Sequence, residues 1–95
     1  MTRRCTLGVD IGTSSSKAVV VDGDGLVVAS ASVAHDVSRP REGHVEMNGR
    51  VWWDEFVRLA RDVIGQAGAD VEIAAVGVSG MGPCVLLADE DDEPV

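Results

Sequence analysis

Two apolar runs separated by one polar turn constrain this chain most. Leu7, Val9 and Ile11 alternate with smaller or polar residues, which is the period-two pattern of a strand. Ala18-Val19-Val20-Val21 is instead a continuous, mostly β-branched run of the kind found in strands buried on both faces. The two segments read as neighbouring antiparallel strands joined through Gly12 to Lys17. Asp22-Gly23-Asp24-Gly25 is a strong hairpin signal that leads into a third strand, Leu26 to Val33.

The chemistry of the first turn follows from its residue types. Gly12 permits backbone angles that a side chain would obstruct, and Thr13, Ser14, Ser15 and Ser16 offer hydroxyls and backbone N–H groups that can converge on an anion. Asp10, at the end of the first strand, is a hard oxygen ligand of the type Mg²⁺ prefers, and Lys17 can place a positive charge near the same anion. Two readings fit these residues: a cradle for a metal-bound phosphate, or a plain hairpin turn in which Asp10 and the serines bond nearby backbone. Two other phosphate motifs are excluded. There is no Gly-x-x-x-x-Gly-Lys-[Ser/Thr], and no Gly-x-Gly-x-x-Gly follows a strand and opens a helix. The turn runs into a strand, so a helix N-terminus is not what would meet the phosphate.

Farther along, Ala34 to Met47 holds Pro40, Gly43 and mixed charges and reads as a surface loop. Asn48 can cap a helix whose apolar positions Trp52, Phe56, Leu59, Ala60, Val63 and Ile64 form one stripe, with Trp53 on another side. Gly65 and Gly68 offer a stop. Ile73 to Val78 is a second continuous apolar run, suited to parallel pairing across the helix. Ser79-Gly80-Met81-Gly82-Pro83 then forms a loop at the carboxyl end of a strand, where ligands bind in open α/β sheets, and Cys84 to Ala88 reads as a short strand.

Composition narrows the function classes. The net charge of −8 and a single lysine argue against nucleic acid or an anionic membrane as partner. Asp89 to Glu93 reads as a solvated acidic turn rather than a metal site. Cys5 and Cys84 sit in apolar surroundings and read as reduced, buried thiols. His35 and His44 lie in a loop without metal-ligand spacing and read as surface residues. Met1-Thr2-Arg3-Arg4 leads straight into a strand without a signal-peptide pattern, and no apolar run approaches a membrane span, so a cytoplasmic protein is expected.

Three antiparallel strands, a crossover helix and a parallel strand, with Asp-x-Gly-Thr between the first two strands, open the ribonuclease H-like fold of the actin-like ATPases. The blocks GVDIGTSSSKAVVVDGDGLVVASAS from Gly8, GHVEMNGRVWWDEF from Gly43 and IAAVGVSGMGPCVLLAD from Ile73 resemble the N-terminal domain of the FGGY carbohydrate kinases. The resemblance covers nearly the whole chain and implies an α/β, ribonuclease H-like fold, here partial, ending in the start of a further hairpin. It also implies ATP-dependent phosphorylation of a sugar or polyol hydroxyl. In that family the aspartate matching Asp10 helps hold Mg²⁺, the residues matching Gly12, Thr13, Ser14, Ser15 and Lys17 surround the phosphates, and the loop matching Met81, Gly82 and Pro83 borders the substrate pocket. Phosphoryl transfer depends mostly on positioning and charge neutralisation, which suits this equipment.

Three departures qualify the carry-over. Gly82 and Pro83 stand where xylulokinase-like and glycerol-kinase-like members have substrate-contacting polar residues, and neither offers a side-chain hydrogen bond, so the substrate is not carried over. Asn48-Gly49 stands where Asp-Pro is common. Residues 1–95 are expected to be an incomplete N-terminal kinase domain, because the family's catalytic base, adenosine pocket and signature lie in a C-terminal domain absent here. Asp10 would be a poor substitute base while it is engaged with Mg²⁺. The chain alone is therefore expected not to turn over, and Ala88 to Val95 reads as a strand and turn whose returning strand is missing. A non-catalytic actin-like nucleotide-binding module and a purely structural fragment are the alternatives.

Overall fold

The computed structural model describes residues 2–43, 45–82 and 85–95. Strands β1 (Arg3–Ile11), β2 (Ser15–Asp22) and β3 (Val27–Ala34) are followed by helix α1 (Gly49–Ala67) and strand β4 (Val71–Gly80). The sheet order is β3-β2-β1-β4, with β1–β2 and β2–β3 antiparallel and β1–β4 parallel. This is the predicted sequence of three antiparallel strands, crossover helix and parallel strand.

Register assigns the two faces of the sheet. Leu7 pairs with Val20, Val9 with Ala18 and Ile11 with Ser16, so these side chains share one face. On that face Cys5, Leu7, Val9, Ala18, Val20 and Ala29 are buried under Leu59 and Val63 of α1. Asp10 pairs with Lys17 and Ser79, which places those three side chains on the opposite face.

The local signals act as their chemistry requires. The Asp22 N–H donates to the Leu26 carbonyl at 3.0 Å, and the Asp22 carboxylate accepts from the N–H groups of Asp24 and Leu26. Gly25 takes a φ of 83°, a region a side chain would disfavour. Asn48 caps α1 by accepting from the Arg50 N–H at 3.0 Å, and Gly68, at φ 100°, closes it.

Several expectations need correction. The helix is phased differently: Glu55, Leu59 and Val63 are its buried residues, whereas Ile64 is 42% exposed. β4 is not a buried strand. Val76 and Val78 are 54% and 62% exposed, because α1 packs on β1, β2 and β3 and leaves the β4 edge uncovered. Likewise Val19 and Val21 of β2 are only half-buried, since no element covers their face. In place of a regular strand after the Met81 loop, the described residues hold a tight acidic turn. Asp89 accepts from the Asp91 and Glu93 N–H groups, Ala88 bridges Pro94, and Val95 N–H donates to Leu87, so two residues do return.

Ser79 and Gly80 belong to β4 rather than to a loop. Cys5 is buried, while Cys84, Pro83 and His44 lie outside the described residues. Among the described residues, no helix is long and apolar enough to cross a membrane.

Candidate functional site

The carboxyl ends of β1 and β4 lie side by side and carry the two segments singled out in the sequence. Met81 continues the parallel ladder by donating its N–H to the Ile11 carbonyl at 3.1 Å, and Thr13 Oγ1 donates to Met81 Sδ at 3.8 Å. The structure thus joins Asp10, Gly12, Thr13, Met81 and Gly82 at one end of the sheet. Ser79, which sequence reasoning left as generic loop, donates from Oγ to Asp10 Oδ1 at 2.8 Å. Asp10 is exposed and lies opposite Lys17 in the ladder.

In the Gly12–Ser15 turn three carbonyls have protein partners. Gly12 N–H donates to Ser15 O at 2.9 Å, Ser14 O accepts from the His35 N–H at 3.0 Å, and Gly12 O lies 2.6 Å from His35 Nε2. Among the described residues the N–H groups of Thr13 and Ser14 have no protein partner, and Thr13, Ser14 and Ser15 are exposed. Unpartnered amides beside exposed hydroxyls are groups that can accept an anion. Gly12 is required there for space, because a Cβ would lie 3.1 Å from the Ser15 carbonyl oxygen.

Strand alternation divides the serines. Ser16 points inward and is fully buried, donating to Glu55 Oε1 at 3.0 Å. His35 corrects the surface assignment, since its side chain is only 7% exposed and its Nδ1 lies 2.7 Å from the same Glu55 oxygen. Sequence reasoning missed both Glu55 and its partnership with His35. The available signal was a carboxylate four residues before Leu59, within the apolar side of α1.

A cleft of about 600 Å³ opens beside the turn, with Thr13, Glu46, Met47, Trp52, Met81 and Gly82 in its wall. A smaller hollow on the outer side of α1, between Trp53 and Asp62, has no connection with these groups. No set of three His, Cys, Asp or Glu side chains among the described residues could enclose a metal. Asp10 offers an exposed carboxylate beside the turn, and Glu46 lines the cleft wall.

The family profile described as the N-terminal domain of the FGGY family of carbohydrate kinases matches residues 5–95. The chain belongs to that family. Among FGGY relatives, it is 33% identical over 84 residues to the glycerol kinase of Ectopseudomonas mendocina, covering 87% of this chain and 17% of the relative. It is 26% identical over 89 residues to the xylulose kinase of Staphylococcus xylosus, covering 94% of this chain and 18% of the relative. The crystal structure of xylulose kinase from Rhodospirillum rubrum superposes with a TM-score of 0.92 at 33% identity, covering 97% of this chain and 19% of that one. The chain thus spans less than a fifth of the length of these relatives. The FGGY neighbours have the actin-like ATPase fold expected from the strand order.

Proposed function

We propose that this chain supplies the metal- and phosphate-binding half of an ATP-dependent kinase that phosphorylates a sugar or polyol hydroxyl. The observation that carries the reading is the turn beside Asp10, in which the Gly12 and Ser14 carbonyls are held by His35 while, among the described residues, the Thr13 and Ser14 amides have no partner. The donor set suits a magnesium nucleotide. Mg²⁺ keeps several waters and takes one or two protein carboxylates plus phosphate oxygens, a demand that the exposed Asp10 can meet. Bound there, Mg²⁺ would neutralise charge on the phosphates.

In this reading Asp10 orients the metal and Ser79 orients Asp10. Gly12, Thr13, Ser14 and Ser15 bind phosphate oxygens through N–H and hydroxyl groups, and Lys17 adds positive charge on the same face. The cleft between Thr13 and Met81 receives the acceptor, with Met81 and Gly82 at its border. The relatives' names, glycerol kinase and xylulose kinase, support a small polyhydroxylated acceptor. The general base and the adenosine site belong to a C-terminal kinase domain, consistent with the fraction of its relatives that the chain spans. A cytoplasmic setting goes with such an enzyme.

The test puts this chain in place of the matching N-terminal segment of a xylulose or glycerol kinase and measures ATP-dependent phosphorylation of that enzyme's substrate. The chain alone should show no turnover, the chimera should show it, and Asp10→Ala should abolish it. Unchanged activity in Asp10→Ala would refute the role assigned here. Protection of the chain by Mg-ATP, with the chimera inert toward every sugar, would replace the kinase by a non-catalytic nucleotide-binding module.

A further inference from the structure

His35 and Glu55 form a buried polar pair that the proposed chemistry does not use. Buried polar groups are costly unless satisfied, and among the described residues these are satisfied through one another, Ser16 and the first turn. Glu55 Oε1 accepts from the Ser16 hydroxyl and lies 2.7 Å from His35 Nδ1, while His35 Nε2 reaches Gly12 O. A carbonyl can only accept, so the proton at this contact is on Nε2. Glu55 on α1 therefore fixes the ring, and the ring fixes the Gly12 carbonyl.

That carbonyl shares a peptide plane with the Thr13 N–H. In a trans peptide the two point in opposite directions, so pulling Gly12 O toward the helix aims Thr13 N–H away from it, toward solvent. The His35 backbone N–H holds the next accessible carbonyl, that of Ser14, at 3.0 Å. One residue thus anchors both ends of the Thr13-Ser14 step.

We propose that His35, oriented by Glu55, is a positioning residue that presents the Thr13 amide to a bound phosphate. This rests on the phosphate-binding reading of the turn. Its removal should cost phosphate affinity without unfolding the sheet, because Ser16 keeps Glu55 partnered and the apolar core is untouched.

The experiment is NMR on the ¹⁵N-labelled 95-residue chain, titrated with magnesium pyrophosphate and followed at the Thr13 amide. In the unsubstituted chain that amide shifts on titration, and a His35 ring N–H signal is protected from exchange. His35→Phe keeps an aromatic ring but removes both nitrogens and should bind pyrophosphate about tenfold more weakly, the loss expected for one well-aimed charge-assisted hydrogen bond. Glu55→Leu should approach the same loss and expose the His35 ring signal to exchange. Glu55→Gln, which can still bond to the ring and to Ser16, should stay within about threefold.

Equal affinity in His35→Phe and the unsubstituted chain would overturn the positioning role while leaving the phosphate reading standing. No shift at Thr13 in the unsubstituted chain would overturn the phosphate reading, and the proposal with it. If His35→Phe does not fold, the Glu55→Leu and Glu55→Gln comparison decides: equal affinities in those two sink the proposal, and a restored affinity in Glu55→Gln alone supports it.

Discussion

Leu59 and Ile64 both belong to the apolar stripe visible in the sequence, yet the structure assigns them opposite energetic weights. Leu59 is 1% exposed against the sheet, whereas Ile64 is 42% exposed. Truncating a fully buried leucine to alanine costs about 3 kcal/mol from lost transfer energy and the residual cavity. At the usual per-residue stability, a chain of 95 residues has about 5–14 kcal/mol in all. Leu59→Ala therefore removes a large fraction of it. With a urea slope of about 1.5 kcal/mol/M, the midpoint should fall by about 2 M. Ile64→Ala, losing contacts only on its inner side, should cost under about 1 kcal/mol and move the midpoint by about 0.5 M. Urea titration followed by tryptophan fluorescence reads this directly, because half-buried Trp52 and exposed Trp53 both lie on α1. Equal midpoint shifts for the two variants would refute the helix phase and, with it, the inward placement of Glu55.

Gly12→Ala places a Cβ 3.1 Å from the Ser15 carbonyl oxygen, which already receives the Gly12 N–H at 2.9 Å. Neither backbone group can swing away cheaply, so the variant should lose about 1–3 kcal/mol and shift the Thr13 amide resonance, checked by thermal melting and NMR. Acid should loosen the β2–β3 hairpin through Asp22. The Leu26 N–H holds its carboxyl below the ordinary value of 3.8, with the Asp24 N–H and the Arg3 guanidinium adding to the effect and desolvation opposing it. Because the folded value is the lower one, this contribution is full above pH 3.8 and disappears as pH falls through the folded value. Asp22→Asn should therefore flatten the acid limb of the stability curve, and a limb identical to that of the unsubstituted chain would count against the assignment. Asp10→Asn should leave the melting temperature nearly unchanged, since Asp10 is exposed and has one side-chain partner, Ser79, while weakening Mg²⁺-dependent pyrophosphate binding.

Those elements whose cause is local were legible in the sequence. The Asp22–Gly25 turn, the Asn48 cap and the alternation of Leu7, Val9 and Ile11 each carry their own geometry, and each forms as its residues require. What depends on long-range packing was not. An apolar run such as Ile73 to Val78 signals a strand, but its burial depends on what covers it, and α1 crosses the other three strands instead. The helix stripe had the same ambiguity. Trp52, Phe56, Leu59, Ala60, Val63 and Ile64 span a broad face, and whether its centre falls on Glu55 or nearer Ile64 is decided by the sheet beneath. His35 was misplaced for a related reason: loop residues are usually solvated, and nothing in the sequence spacing joins it to a carboxylate 20 residues away.

Composition made the serines of the first turn look interchangeable, and the strand period separates them. Ser16 is two residues before Ala18 and four before Val20, so it faces the core with them, whereas Ser15 and Lys17 share the face of Asp10. A phosphate on that face can meet the Ser15 hydroxyl and cannot meet that of Ser16, which is committed to Glu55. The two hydroxyls therefore act at different levels. In the proposed reading Ser15 would touch the phosphate, while Ser16 bonds to the Glu55 of the buried pair beneath the turn. On that reading one sequence motif supplies both the surface offered to the ligand and part of the buried support under it.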